Sequence, residues 1–136
     1  MQLVAIENAA SSPTPGFSRA EVQAMQRAVI RLLDHWGVTD AQAAILLGDI
    51  AVRTYQRWKQ GEYGRWTVDL AARLSNLIGI HKALRLLYTE ADRGYRWIKA
   101  PNRAFADRSA LDVMLDGQLT DLMRVRRYLD SYRGAW

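Results

Sequence analysis

The basic and amide side chains between Ile50 and Gln60 have the types and spacing that can bind DNA. No Asp or Glu occurs in this run, so its positive charges are not neutralised locally. Lys and Arg bind phosphates, while Arg and Gln can pair with guanine and adenine edges in the major groove. The alternative is an ordinary solvated helix face, since such faces are common. The predicted DNA-binding residues are Gln42, Arg53, Thr54, Gln56, Arg57, Lys59 and Arg65.

Other residues that could do chemistry are isolated. His35 and His81 have no metal-ligand spacing, and the chain has no Cys, which excludes a thiolate nucleophile and disulfides. The aspartates recur near helix starts and on exposed faces, where carboxylates stabilise helix N-termini and pair with Arg. Neither a glycine-rich phosphate loop nor a nucleophile motif is present. We therefore predict a protein that is not an enzyme, with no catalytic residue, no metal and no cofactor.

The charge of the chain fits an acidic partner but does not locate its binding surface. The 136 residues carry a formal net charge of +5, and the sequence pI is about 9.9. Residues 1–66 hold 7 basic and 6 acidic residues, and residues 67–136 hold 12 and 8, so the excess is +1 and +4. No apolar run approaches the ~20 residues that span a bilayer, and the first residues lack a secretory signal. We therefore expect a cytoplasmic protein without a membrane partner.

Capping signals and apolar spacing predict an all-α fold. Ser18 with Glu21, and Thr39 with Gln42, form two capping boxes. Apolar residues then recur every three or four positions, and glycines mark helix ends. No alternating pattern of useful length predicts a strand. We expect helices from Ser18 to Gly37, from Thr39 to Gly48, from Val52 to Gln60, from near Thr67 to a break at Gly79, from there through Tyr88, from Ser109 to Gly117 and from Leu119 to Tyr132, with a loop over Gly94–Asp107.

The two short helices in the middle of the chain match the requirements of a helix-turn-helix. Gly48 provides the turn between them. Tyr55 and Trp58, three positions apart, can dock the second helix and leave its basic residues facing outward. The first helix is rich in small and apolar residues, which allow a close helix crossing: Ala43, Ala44, Leu46 and Leu47.

Two segments resemble a known family of antitoxins. The run Thr54–Gly61 (TYQRWKQG) resembles the recognition helix of Xre-type, Cro/repressor-like proteins. The run Tyr95–Asn102 (YRWIKAPN), followed by Ser109–Leu115 (SALDVML) and a last helix, resembles the C-terminal toxin-binding domain of the Xre/MbcA/ParS antitoxin family. The chain departs from the family pattern at Phe105–Ala110, which replaces a glycine-rich loop and a Pro, and in the slightly longer turn before Thr54.

This resemblance implies an antitoxin of a type II toxin–antitoxin module. Its partner would be a RES-type toxin that consumes NAD or uses it for ADP-ribosylation, neutralised when the C-terminal region covers the active-site cleft. The resemblance also implies autorepression through operator DNA near the protein's own promoter, by a homodimer within a hetero-oligomeric complex. The corresponding division is a flexible tail over residues 1–16, a helix-turn-helix domain over 17–80 and a toxin-binding domain over 81–136.

The candidate toxin-binding residues lie before, in and just after the last helix. Arg124, Arg126, Arg127 and Arg133 make that helix and its end basic, and Trp136 is a large indole that could plug a nucleotide pocket. The alternative is that the arginines are solvated and Trp136 packs back on the protein. Two other functions stay open: a helix-turn-helix regulator whose C-terminal half only dimerises, and a structural module that never contacts DNA. The predicted toxin-binding residues are Trp97, Pro101, Asn102, Arg124, Arg127, Tyr132, Arg133, Gly134, Ala135 and Trp136.

Overall fold

The computed structural model describes residues 16–134, with the backbone alone for residues 133 and 134. The described part is helical except for one small hairpin, so the all-α prediction is confirmed and two two-residue strands add to it. None of the described helices has the length and hydropathy needed to cross a membrane. The helices are α1 (Arg19–His35), α2 (Asp40–Leu46), α3 (Val52–Lys59), α4 (Val68–Leu87), α5 (Ala91–Lys99), α6 (Ala110–Met114) and α7 (Leu119–Gly134). Between α5 and α6 lie β1 (Pro101–Asn102), a 3-10 turn (Arg103–Phe105) and β2 (Arg108–Ser109).

Both predicted capping boxes begin their helices. The Ser18 hydroxyl accepts from the Glu21 amide at 3.1 Å, and the Glu21 carboxylate accepts from the Ser18 amide at 2.9 Å. Thr39 and Gln42 make the same reciprocal pair at the start of α2, at 3.1 and 3.0 Å. Each cap satisfies backbone donors that the first helical turn leaves free, which stabilises a helix by about 1 kcal/mol.

Helix α4 is the centre of the core. Leu70, Leu74, Leu77, Ile80 and Leu84 are all 7% exposed or less. The apolar stripe predicted for α1 packs against α4, and α7 packs against it as well. Buried residues from all seven helices therefore belong to one continuous hydrophobic core.

Gly79, where a helix break was predicted, and Gly94, where a loop was predicted to begin, both lie inside helices. The predicted break at Gly79 is wrong because α4 continues through it, and a Cβ there would lie 2.5 Å from the Arg126 guanidinium. The loop predicted from Gly94 is wrong as far as Lys99, because α5 includes Gly94 and packs closely on α4. A Cβ on Gly94 would lie 3.3 Å from the Cβ of Leu84. At both positions helix packing outweighs the ~1 kcal/mol that glycine costs a helix.

The buried side chain of Arg73 joins the two halves of the chain. It donates hydrogen bonds to the Gly117 carbonyl at 2.9 Å and to the Leu46 carbonyl at 3.3 Å, and its Nε donates to Asp69 at 2.8 Å. Leu46 ends α2 and Gly117 precedes α7, so a single guanidinium satisfies carbonyls of both halves. The predicted boundary between residues 80 and 81 lies within α4. A division of the chain there stays a prediction.

Candidate functional site

Helices α2 and α3 cross through a tight turn, as the sequence predicted. Ala43 and Ala44 are at most 3% exposed, so the two helices approach closely. Gly48 has a φ of +99°, a conformation that favours glycine, and a Cβ there would lie 3.2 Å from the Arg73 side chain. The small-residue helix and its glycine turn therefore have the geometry of a helix-turn-helix.

Tyr55 and Trp58 dock α3 on the core. Each residue is 2% exposed, and their rings lie 6.0 Å apart. Burial raises the pKa of the Tyr55 hydroxyl to about 12, because the charged form would lose its hydration. The docking face predicted from the three-residue spacing is confirmed, and the opposite face of α3 is left to solvent.

The outer face of α3 consists of Arg53, Gln56 and Arg57 and continues to Gln60, the residue that follows the helix; all four are exposed. Their spacing of three, four and seven residues places them on one side of a helix that turns about 100° per residue. Within the described part of the chain, no acidic side chain pairs with Arg53 or Arg57. Gln60 was not among the predicted residues, although the same spacing places it on this face.

Two predicted DNA-binding residues lie at the edges of this outer face. Thr54 is half-buried, and Lys59 is exposed beside the start of α2. The Lys59 ammonium lies 2.5 Å from a carboxylate oxygen of Asp40, and the Gln56 amide nitrogen donates to the other oxygen at 3.4 Å. Hydrogen bonding from Lys59 lowers the pKa of Asp40, so this carboxylate is ionised at neutral pH. The residue pattern within α3 could not reveal Asp40, because this carboxylate lies on α2.

Gln42 and Arg65, the two outlying DNA-binding candidates, differ in how they are held. The Gln42 side-chain oxygen accepts from the Thr39 amide, so this side of its amide already serves the cap of α2. Arg65 is exposed in the segment between α3 and α4. The structure therefore brings Arg53, Gln56 and Arg57 together on α3 and leaves Arg65 on a separate segment.

A cluster of four aromatic rings lies where α5, the hairpin and α7 meet. The ring of Trp97 stacks on Tyr128 with a centroid distance of 6.1 Å. Phe105 lies 5.1 Å from Tyr128 and 6.5 Å from Trp97. Tyr132 meets Tyr128 edge-on at 5.2 Å, and their hydroxyls lie 3.1 Å apart. The aromatic cluster, Trp97–Phe105–Tyr128–Tyr132, therefore includes two predicted toxin-binding residues.

A groove of about 300 Å³ runs beside the aromatic cluster. One aromatic residue that lines it is open to solvent: Tyr132 is 51% exposed. Exposed apolar and aromatic residues that lie together are typical of a protein-binding surface. The groove is lined by Leu87, Tyr88, Trp97, Tyr128, Leu129 and Tyr132.

The arginines of α7 differ in their contacts. Arg124 lies 5.2 Å from the Phe105 ring and donates to the Ala104 carbonyl at 3.3 Å. Arg126 donates to the Ser75 carbonyl at 3.4 Å and pairs with Asp130 at 3.7 Å. Arg127 is exposed. The basic helix predicted from the sequence thus contains arginines that hold neighbouring elements in place.

Pro101 and Asn102 belong to the hairpin that carries Phe105. Pro101 pairs with Ser109 and Asn102 with Arg108, and the Asn102 side chain accepts from the Ala104 amide at 2.9 Å. Asn102 therefore caps the 3-10 turn and shapes the hairpin. The predicted structureless loop is replaced here by a hairpin that sequence periodicity could not detect, because each strand has only two residues.

The turn of the hairpin contains two residues in the left-handed conformation. Ala106 has a φ of +57° and Asp107 a φ of +65°. Glycine adopts this conformation without strain, whereas a Cβ makes it costly. The backbone here therefore adopts the left-handed conformation that favours glycine, at the place where the resemblance implies a glycine-rich loop.

The structure describes only part of the last four predicted toxin-binding residues. Arg133 and Gly134 lie in the final turn of α7, where the backbone alone is described. Ala135 and Trp136 lie outside the described residues, as does the predicted N-terminal tail except for Gly16. The proposed role of Trp136 as an anchor therefore stays a prediction.

Two family models match the chain, one for each half. The model for the antitoxin Xre-like helix-turn-helix domain matches residues 18–79. The model for the antitoxin Xre/MbcA/ParS C-terminal toxin-binding domain matches residues 83–134. The chain belongs to the Xre/MbcA/ParS antitoxin family. The outer face of α3 lies in the first matched segment of the antitoxin, and the aromatic cluster lies in the second.

A relative and a solved structure are similar to this antitoxin along most of their lengths. The uncharacterised protein y4oB of Sinorhizobium fredii (strain NBRC 101917 / NGR234) is 40% identical over 122 residues, which cover 90% of this chain and 94% of y4oB. In the crystal structure of the M. tuberculosis MbcT–MbcA toxin–antitoxin complex, a chain matches with a TM-score of 0.56 and 22% identity. This match covers 81% of the antitoxin and 91% of that chain, and it indicates a shared fold.

Family membership makes the protein a non-enzymatic antitoxin with a helix-turn-helix and a toxin-binding domain. It favours this function over a regulator whose C-terminal half only dimerises. Within residues 16–132, no group of three or more His, Asp or Glu side chains is arranged to hold a metal ion.

Proposed function

We propose that the antitoxin neutralises a RES-type toxin by covering its active-site cleft with the surface formed by α5, the hairpin and α7. Such a toxin consumes NAD or uses it for ADP-ribosylation. The observation that carries the proposal is the aromatic cluster, which lies within the segment matched by the toxin-binding family model. Aromatic residues and Arg contribute most often to binding energy at protein interfaces, because they bury a large area with little loss of conformational freedom.

The exposed end of this surface supplies the binding groups. Tyr132 offers apolar area, and Arg127 offers an exposed positive charge for an acidic group on the toxin. Helix α7 continues to Gly134, so Ala135 and Trp136 follow it directly in the chain. We propose that Trp136 enters the nucleotide pocket of the toxin, with Arg133 and Gly134 beside it.

Co-expression tests toxin neutralisation. We expect an adjacent reading frame to encode a RES-type protein that arrests growth alone and is tolerated with the antitoxin. Tyr132→Ala and removal of residues 135 and 136 should each weaken the rescue, whereas Arg57→Ala on α3 should not. A neighbouring protein that is harmless alone, or whose toxicity the antitoxin does not relieve, would contradict the proposed partner. Undiminished rescue by the truncated chain would contradict the role of Trp136 only.

The same protein is proposed to bind operator DNA and repress its own promoter. The supporting observation is the outer face of α3, where Arg53 and Arg57 are exposed on a docked helix. Helix-turn-helix proteins commonly bind as dimers to paired half-sites, so we propose a homodimer that acts in the cytoplasm. The logarithm of the binding constant for upstream DNA should fall linearly with the logarithm of the salt concentration, and Arg57→Ala should make that slope shallower. Binding that is the same for upstream and unrelated DNA would contradict operator recognition.

A further inference from the structure

Asp40 is a carboxylate that sits against the proposed DNA-reading helix. It is the first residue of α2, and its side chain reaches across to the last turn of α3. One oxygen contacts the Lys59 ammonium at 2.5 Å, and the other accepts from the Gln56 amide nitrogen at 3.4 Å. We propose that Asp40 is a specificity-determining residue, which weakens attraction to DNA of any sequence and orients Gln56 for base recognition. This inference rests on the proposed binding of operator DNA.

The contact with Lys59 reduces the charge available to phosphates. Lys59 also lies 5.2 Å from the ring of Tyr55, so its ammonium is held near the edge of the outer face. A phosphate that approaches this edge meets the negative charge of Asp40 as well as the positive charge of Lys59. The side chains of the pair are 44% and 34% exposed, so solvent screens the pair and a well-placed phosphate can compete for Lys59. Asp40 therefore weakens sequence-independent binding without blocking the surface.

The contact with Gln56 fixes the direction of its amide. Because a carboxylate only accepts hydrogen bonds, it takes one N–H of the Gln56 NH2 group and leaves the carbonyl oxygen and the second N–H for other partners. That oxygen can accept from the amino group of adenine or cytosine in the major groove. Guanine presents two acceptors there, O6 and N7, which would face the same oxygen unfavourably. Asp40 thus biases Gln56 against guanine at the base pair that it reads.

Asp40 also stabilises the N-terminus of α2 through the helix dipole, and this effect needs a matched control. Asp92 occupies the first turn of α5 and is exposed, as a control carboxylate should be. The structure gives no contact between Asp92 and α3. Asp92→Asn therefore changes the net charge by the same amount as Asp40→Asn while leaving the outer face intact.

The test compares two short duplexes, one from the upstream region and one with the same bases shuffled. Fluorescence anisotropy gives the Kd of each between about 50 and 300 mM salt for the wild type, Asp40→Asn, Lys59→Gln, the double variant and Asp92→Asn. Asp40→Asn should bind the shuffled duplex at least about threefold more tightly, with a log–log salt slope steeper by about 1. Its affinity for the upstream duplex should rise less, so the ratio of the two affinities falls. Lys59→Gln should weaken DNA binding more in the Asp40→Asn background than in the wild type.

The outcomes separate this inference from the proposed function. If the wild type distinguishes the duplexes but Asp40→Asn changes neither the ratio nor the slope, the role of Asp40 is wrong and operator binding stands. If the wild type does not distinguish them, operator binding itself fails and Asp40 has no specificity to determine. An equal change in Asp92→Asn would attribute the effect to net charge and also contradict the role of Asp40.

Binding-site selection from randomised duplexes examines Gln56 separately. Gln56→Ala identifies the position that this side chain reads, because the preference there disappears. At that position the wild type should exclude guanine, and Asp40→Asn should accept it. An unchanged preference in Asp40→Asn would contradict the orientation of Gln56 by the carboxylate.

Discussion

The arginines of α3 and α7 are held in different ways. On α3, Arg53 and Arg57 are exposed, and no acidic side chain within residues 16–132 pairs with them. On α7, Arg124 covers the Phe105 ring and bonds to the hairpin backbone, and Arg126 bonds to the Ser75 carbonyl of α4. An unpaired guanidinium suits phosphates, whose attraction acts at a distance. A guanidinium bonded to carbonyls instead fixes the shape of the surface around it.

This difference separates the two surfaces that are proposed to bind DNA and the toxin. The outer face of α3 relies on charge and on amide groups at helical spacing, so its binding should depend strongly on salt. The surface around the aromatic cluster relies on ring packing between α5, the hairpin and α7. Toxin binding there should therefore weaken in variants that destabilise this packing. Variants that damage one surface and spare the other therefore test whether the division is real.

Phe105→Ala should have the largest effect, and it should act on the aromatic surface. Phe105 is 2% exposed and contacts Trp97, Tyr128 and Arg124. Its truncation leaves a cavity, so the free energy of unfolding should fall by about 3 to 5 kcal/mol, measured by urea denaturation. Leu86→Ala, at an exposed position, should lower it by less than about 0.5 kcal/mol. Equal losses from both variants would mean that the aromatic cluster is not a packed unit.

Arg73→Met should have the next largest effect, and it should damage both surfaces. The variant leaves the carbonyls of Leu46 and Gly117 without their donor, so the free energy of unfolding should fall by about 2 to 3 kcal/mol. Because these carbonyls belong to different halves, DNA binding and toxin rescue should weaken together. Arg85→Met, at an exposed position of the same helix, should leave both unchanged. Loss of only one activity in Arg73→Met would contradict the coupling of the halves.

Features set by neighbouring residues could be predicted from the sequence. The capping boxes at Ser18 and Thr39 join residues three positions apart, and Tyr55 and Trp58 have the same spacing. Gly48 was recognisable because a turn after a helix of small residues requires a positive φ. These local rules were enough to predict the helix-turn-helix and the outer face of α3.

Features set by distant residues could not be predicted. The break expected at Gly79 and the loop expected from Gly94 are wrong because helices continue through both glycines, whose missing side chains leave room for Arg126 and Leu84. The aromatic cluster unites residues from α5, the hairpin and α7, which no periodic pattern relates. Asp40 and Lys59 likewise lie 19 positions apart. The family resemblance placed Trp97 in the toxin-binding region, but its contacts with other rings could be seen only in the folded structure.

Replacing one exposed arginine on either proposed surface should impair one activity and leave the other unchanged. Arg57→Gln should weaken operator binding about tenfold and reduce the salt slope by about 1, because one phosphate contact is lost. It should leave toxin rescue unchanged. Arg127→Gln on α7 should do the reverse, with weaker rescue and unchanged DNA affinity by fluorescence anisotropy. If either variant impaired both activities to the same degree, the two surfaces would not be separate.

Ala106→Gly should have the smallest effect and the opposite sign. Ala106 has a φ of +57°, where its Cβ is strained, so glycine should raise the free energy of unfolding by about 0.5 to 1 kcal/mol. Ala104→Gly, two residues earlier in the 3-10 turn, should lower it or leave it unchanged, because no such strain is relieved there. Urea denaturation distinguishes the two variants. Toxin rescue by Ala106→Gly should be kept and DNA binding untouched, because the change preserves the hairpin that holds Phe105. A lower stability for Ala106→Gly would mean that this turn does not adopt the left-handed backbone on which the aromatic surface is built.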